Sequence, residues 1–145
     1  MIAEAKEKQA VETTAARGAA LLGAADFQAV VQGYAGLMDL GPGVEPRLKA
    51  ALQHVLAHPG SLLRAQLGYS IMKDRGTDPD RALATAIALE YFHTASLVFD
   101  DMPAMDNATE RRGTPCVHVA FDEATATLAG LALINRGYAL LWQSI

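Results

Sequence analysis

Between residues 24 and 58 apolar positions recur every three to four residues, first in AADFQAVVQGYAGLM and then in RLKAALQHVLAH, with a breaker cluster, GPGVEP, between them. That spacing predicts two amphipathic helices. In the second, Leu48, Leu52, Val55 and Leu56 share one stripe, and His58, Pro59 and Gly60 stop it. Ser61 is placed to cap a further helix over SLLRAQLGYSIMKDRG, whose late basic residues and closing Gly76 are stop signals. The clearest pattern is TDPDRALATAIALEYFHTASLVFDD: Thr77 or Asp78 as cap, Pro79 in the first turn, helix formers after it, and Pro103 to end it. A charged, glycine-bearing loop is expected over 102–121, then a last helix from about Asp122 that runs out without a cap. Ahead of all these, residues 2–22 form a polar, alanine-rich pattern of helical type, with Gly23, Gly33 and Gly36 weakening it and its successor. No repeat, hydrophilic linker or strand pattern breaks the series, so the chain is expected to be all-α, one domain or part of one over residues 1–145.

Composition narrows the function classes. Of 145 residues 51% are hydrophobic and 19% charged, as in a globular protein and unlike a disordered one. The net charge of −4 gives no basic footprint, which argues against nucleic acid as a partner. Cys116 is the single cysteine, so neither an internal disulfide nor a multi-cysteine zinc site is available. The N-terminus carries charges where a signal peptide needs an apolar core, and no apolar run reaches the ~20 residues that span a bilayer. A soluble, cytoplasmic protein is the expectation.

The chemistry gathers at DDMPAMDNATERRG, residues 100–113. On a helix through residue 101, His93, Leu97, Asp100 and Asp101 fall at i, i+4, i+7 and i+8, one stripe. Adjacent carboxylates at a helix C-terminus oppose both one another and the negative end of the dipole, so they call for a cation. Pro103 turns the chain so that Asp106 returns towards Asp100, an oxygen-rich, thiol-free donor set suited to magnesium. Magnesium takes a few carboxylates together with substrate phosphates. Arg111 and Arg112 offer forked donors matched to phosphate oxygens. Carboxylates holding a polyanion through metal, and arginines holding it directly, account for the mixture of signs; solvated helix-end surface is the plain alternative.

The stretch HTASLVFDDMPAMDNATERRGTPCVH, continued by FDEATATLAG, resembles the trans-isoprenyl diphosphate synthases, also called polyprenyl synthetases. The likeness rests on a histidine, six residues, an aspartate pair, four residues, an aspartate, then RRG and a later histidine, with weaker similarity back to HPGSLLR. It implies a helical bundle of the isoprenoid synthase type, in which two aspartate-rich motifs face one another across a deep cavity. It implies a magnesium-dependent prenyltransferase that joins an allylic diphosphate to isopentenyl diphosphate. Carried over by position, Asp100 and Asp106 bind magnesium with Asp101 in the same catalytic motif, Arg111 holds the allylic diphosphate, and Arg112 faces isopentenyl diphosphate. His93 and Arg64 match further isopentenyl diphosphate contacts. Ala95 and Ser96, small residues before the aspartate pair, match the positions that tune product length and favour a product near geranylgeranyl length.

Three departures from the family pattern stand out. Ser61 and Leu62 occupy positions where lysine and arginine are usual, which removes positive charge. Leu131 follows LAG where aspartate is common. No second aspartate-rich motif follows Asp122, so the bundle is expected to be incomplete at its C-terminus and to need a complementing chain or a homodimer. A non-catalytic subunit of an intact synthase and a helical interaction module are the competing expectations. Cys116, Tyr138 and Trp142 are expected to pack, and His54 with His58 to lie on solvated surface.

Overall fold

The structure is a computed structural model that describes residues 21–145. The helix expected over residues 2–22 therefore lies almost wholly outside the described residues. Among the described residues four helices precede the charged motif's loop: α1 (Ala24–Gly36), α2 (Pro46–Leu56), α3 (Leu63–Asp74) and α4 (Pro79–Asp100). A short hairpin, β1 (Glu110–Arg111) and β2 (Thr114–Pro115), then leads through α5 (Val117–Ala120) to α6 (Glu123–Ser144).

Local chemistry explains three of these helix starts. Asp78 caps α4 by accepting from the amides of Asp80 and Arg81, with Pro79 at the first position. Asp122 caps α6 through Thr125 N at 2.6 Å, and Glu45 caps α2 through Arg47 N and Leu48 N. The expected stripe of α2 is confirmed, with Leu52 and Leu56 buried and Leu48 and Val55 packed against the core.

Two expectations are corrected. Ser61 does not cap α3: the residue before that helix is Leu62, held at φ 50° with no side-chain cap, because the turn at Gly60 (φ 69°) winds the backbone left-handed. The 102–121 segment is not all loop. Arg112 (φ 55°) and Gly113 (φ 75°) both take positive φ, which is what a two-residue hairpin turn requires, so Glu110 pairs with Pro115 and Arg111 with Thr114. An arginine in such a turn is an uncommon choice, which is why the sequence pattern did not announce it.

The core is organised around α4, which packs on α6, α3 and α1. By length and composition alone α4 is long and apolar enough to cross a membrane, although Glu90 interrupts its apolar run. Here it is the central helix of the bundle, and Ala86, Ile87, Ala88, Tyr91 and Ala95 are fully buried along it. Helices α4 and α6 meet by aromatic rings set on glycines: Phe99 lies against Gly130 and Phe92 against Gly137, a matched spacing of seven on each antiparallel helix. A Cβ on Gly130 would stand 2.6 Å from Phe99 Cζ.

Gly130→Ala is therefore expected to destabilise the chain. Alanine ordinarily gains about 1 kcal/mol over glycine inside a helix, but overpacking costs about 1–3 kcal/mol. Gly36→Ala, where nothing lies within 4 Å of the added carbon, is the control. Urea denaturation compares the two; a stabilised Gly130 variant would show that the ring swings aside freely.

Tyr138 and Trp142 depart from the expected packing, with relative exposures of 65% and 80%. Tyr138 still meets the edge of Phe92 at a centroid distance of 5.0 Å. Leu128 and Leu131 of α6 are exposed as well.

Candidate functional site

The charged motif begins where α4 ends. Asp100 is its last residue and Asp101 its C-cap, and the next turn folds back so that Asp106 N donates to Asp100 O at 2.8 Å. Asn107 at φ 50° supports that reversal, with its amide on Met102 O. The return of Asp106 towards Asp100, expected from Pro103, is thus present in the backbone.

The two neighbouring aspartates separate in role. Asp101 is buried, and its carboxylate receives Arg111 Nε at 3.2 and 2.9 Å and Arg111 Nη2 at 2.7 Å. This forked pair ties β1 to the end of α4. Asp100 is half-buried and Asp106 exposed, and neither carboxylate has a hydrogen-bond or ion-pair partner among the described residues. Asp101, expected in the same motif as the metal-binding pair, is paired with Arg111, and Asp100 and Asp106 are the carboxylates of the motif without a partner among the described residues.

On the far side of Asp101 a cleft opens between the C-terminal end of α2, the middle of α4 and the hairpin. Glu90, His93, Thr94 and Leu97 line it from α4 and Asp101 from its C-cap, Tyr34 from α1, His54 from α2 and His58 from the turn after it, and Arg111 and Arg112 from the hairpin. The guanidinium of Arg112 lies over Gly60, so close that any side chain there would overlap it, and it makes a long contact of 3.4 Å to His58 O. His54, expected on solvated surface, is half-buried and bonds Pro115 O at 2.8 Å, docking the hairpin. A histidine pair at i, i+4 with no helical partner gave no sign of a contact 61 residues away.

Electrostatics sharpen the picture. Burial and the nearby Arg64 charge hold the His93 imidazole below its ordinary pKa, so at neutral pH the ring is uncharged and offers one N–H donor. Burial, reinforced by Asp101, pushes the Cys116 thiol up to about 11, which suits the expected packing role and excludes a ready thiolate. Tyr34, whose hydroxyl meets Thr94 Oγ1 at 2.9 Å, is raised to about 12 by burial.

The cleft collects His93, Arg111 and Arg112, while Arg64, exposed on the first turn of α3, does not line it. Ala95 and Ser96 do not line it. Ala95 is enclosed in the core, and Ser96 is exposed with its hydroxyl on His93 O. Glu90, which the sequence reading missed, is a buried acid on the cleft wall. Its signal was available: a lone carboxylate in an otherwise apolar run of α4.

For magnesium the donor chemistry fits in one limited sense. No three His, Cys, Asp or Glu side chains among the described residues form a metal cage. Two partnerless carboxylates on one folded turn suit an ion that completes its shell with water and substrate phosphate.

A polyprenyl synthetase family model matches residues 45–144. The chain belongs to the polyprenyl synthetase family. It is 44% identical over 97 residues to a geranylgeranyl diphosphate synthase of Rhodobacter capsulatus, a match that covers 66% of the chain and 34% of the relative. It is 41% identical over 95 residues to a farnesyl diphosphate synthase of Geobacillus stearothermophilus, covering 66% and 32%. Among solved structures an isoprenoid synthase family member from Thermotoga neapolitana superposes with a TM-score of 0.77 at 30% identity, over 83% of this chain and 46% of that one. The polyprenyl synthetase match includes the 100–113 motif, and the isoprenoid synthase likeness agrees with the all-α class expected. The chain spans about a third of the length of these curated relatives.

Proposed function

We propose that the chain is the segment of a trans-prenyltransferase that carries its first aspartate-rich motif, and that the whole enzyme condenses an allylic diphosphate with isopentenyl diphosphate into a linear polyprenyl diphosphate. The observation that carries this is the division of the motif: carboxylates of Asp100 and Asp106, without a partner among the described residues, on one folded turn, and guanidinium groups of Arg111 and Arg112 on the hairpin immediately after it. Asp100 and Asp106 would hold magnesium. When bound, the ion supplies charge neutralisation to the diphosphate leaving group.

The chain's own residues do the rest. Arg111, anchored by Asp101, keeps donors for the allylic diphosphate, and its fixed orientation means little reorganisation as charge develops there. Arg112, Arg64 and neutral His93 face the second diphosphate. Leu97, Val98 and Tyr34 give the cleft an apolar wall that limits water at a reactive carbocation. A product at or near geranylgeranyl length rests on Ser96, because Ala95 is enclosed. A cytoplasmic location, and pairing with a second copy or a complementing chain, belong to the same reading; the exposed Leu128, Leu131, Tyr138 and Trp142 of α6 support the pairing.

A second reading, a non-catalytic partner of an intact synthase, is favoured by one feature. Ser61 is neutral and Leu62 is buried at 1% exposure, so the turn beneath Arg112 contributes no cation to the cleft. The deciding experiment supplies labelled isopentenyl diphosphate and dimethylallyl diphosphate to the protein in its full-length context or with a complementing chain. A labelled prenyl product supports the first reading. No turnover, with tight association to an active synthase, supports the second.

A further inference from the structure

Glu90 is 3% exposed, yet it forms no ion pair among the described residues. A carboxylate is almost never so enclosed without compensation. Its compensation comes from another helix: Ala65 N donates to Glu90 Oε1 at 3.0 Å, across 25 residues of sequence. Helix α3 begins at left-handed Leu62 and has no side-chain cap of its own, so its first amides lack a local acceptor. Glu90 fills that role from α4, and the positive end of the α3 dipole stabilises its charge in return. An apolar side chain of similar size would avoid the desolvation of the acid but leave the Ala65 amide without its acceptor, so the acid at this point specifies how α3 docks.

What the clamp positions is Arg64, the residue just before Ala65. Arg64 does not itself line the cleft, but it stands on the first turn of α3 next to the clamped Ala65, and that turn is held against Glu90, which lines the cleft together with His93 one turn along α4. We propose that Glu90 is a positioning residue: by accepting the Ala65 amide proton it clamps the first turn of α3 to α4 and holds the Arg64 guanidinium where it serves the cleft as an anion-binding group. This deepens the proposed function and rests on it, since it assigns to the cleft a diphosphate ligand.

The test needs no turnover. Hydrogen exchange at the Ala65 amide and calorimetric binding of inorganic pyrophosphate are measured for the wild-type chain, Glu90→Met, Glu90→Gln, Arg64→Ala and the Glu90→Met, Arg64→Ala pair. Glutamine keeps an acceptor oxygen, whereas methionine keeps the volume and removes it. The Ala65 amide is expected to exchange on the order of tenfold faster in Glu90→Met and within about threefold of wild type in Glu90→Gln. Pyrophosphate affinity is expected to fall about tenfold in Glu90→Met and in Arg64→Ala, and about tenfold, not a hundredfold, in the pair.

Additive losses would overturn the positioning role, as would unchanged Ala65 exchange in Glu90→Met. Should Glu90→Met fail to fold, Glu90→Gln still decides, because loss of Ala65 protection or of pyrophosphate affinity there would show that acceptance of the amide proton is not what matters. Binding without coupling would overturn this inference alone. A wild-type chain with a protected Ala65 amide and no pyrophosphate affinity would overturn the anion-binding role of the cleft along with it.

Discussion

Arg111→Ala is expected to lower the stability of the chain by about 2–3 kcal/mol, more than any surface charge deletion in the molecule. Breaking a buried ion pair from one side costs about 3–5 kcal/mol, because the remaining charge stays desolvated. Asp101 meets that condition, with its side chain 7% exposed, whereas the Arg111 side chain is 37% exposed and solvent screens part of the pair. The loss falls on Asp101, which the chain's own packing keeps out of water next to Cys116. Arg111→Lys should recover only part of the stability, since an ammonium cannot match the fork that meets both carboxylate oxygens. Lys73→Ala is the internal control: its partner Asp26 lies at 2.5 Å, but the two side chains are 55% and 27% exposed, and the expected cost is under about 1 kcal/mol. Thermal unfolding followed by circular dichroism separates them, at about 3 °C per kcal/mol for a domain of this size. Equal shifts for the two variants would mean that Asp101 is hydrated after all.

Substituting Asp100 and Asp106 together with alanine is expected to remove the magnesium-dependent part of pyrophosphate binding, a loss of at least about tenfold in affinity, while stability changes by no more than about 0.5 kcal/mol. The contrast with Asp101 is the point. Asp100 and Asp106 contribute backbone atoms to the turn, through Asp106 N and Asp100 O, but their carboxylates have no partner among the described residues. Their side chains can be removed without breaking the loop. Chelation of magnesium from the wild-type chain should reproduce the same loss, and magnesium should then have no effect on the variant. Calorimetric titration of pyrophosphate with and without magnesium reads both. An undiminished magnesium response in the double variant would place the ion elsewhere and end the assignment.

The two predictions fall on adjacent residues with opposite outcomes, and their difference was not legible in the motif. Asp100 and Asp101 are one helical position apart, a rotation of about 100°, which is enough to bury Asp101 on the cleft wall against Arg111 and leave Asp100 half-buried outside that lining. The start of α4 was legible down to its cap, because Asp78 acts on amides two and three residues away. The start of α3 was not: Ser61 had the right chemistry and Leu62 the wrong backbone, and the acceptor that serves the helix is Glu90 on another element. Tyr138 and Trp142 matched a packing pattern and are exposed, since helical spacing reports which residues share a face and says nothing of what covers it. The hairpin went unseen because its turn is Arg112-Gly113, while the usual marker is asparagine or aspartate before glycine.

The sequence by itself determined the all-helical class, the helix boundaries that rest on caps and prolines, and the gathering of acids and arginines at residues 100–112. All of these depend on interactions spanning a few residues, where spacing along the chain is also spacing in space. Only the tertiary structure decided that Asp101 belongs to Arg111, that Arg112 lies over Gly60 and that Glu90 completes α3. Each of those depends on how one helix or hairpin is set against another, and that setting comes from the packing of rings on glycines and of small residues along α4, which no local pattern encodes.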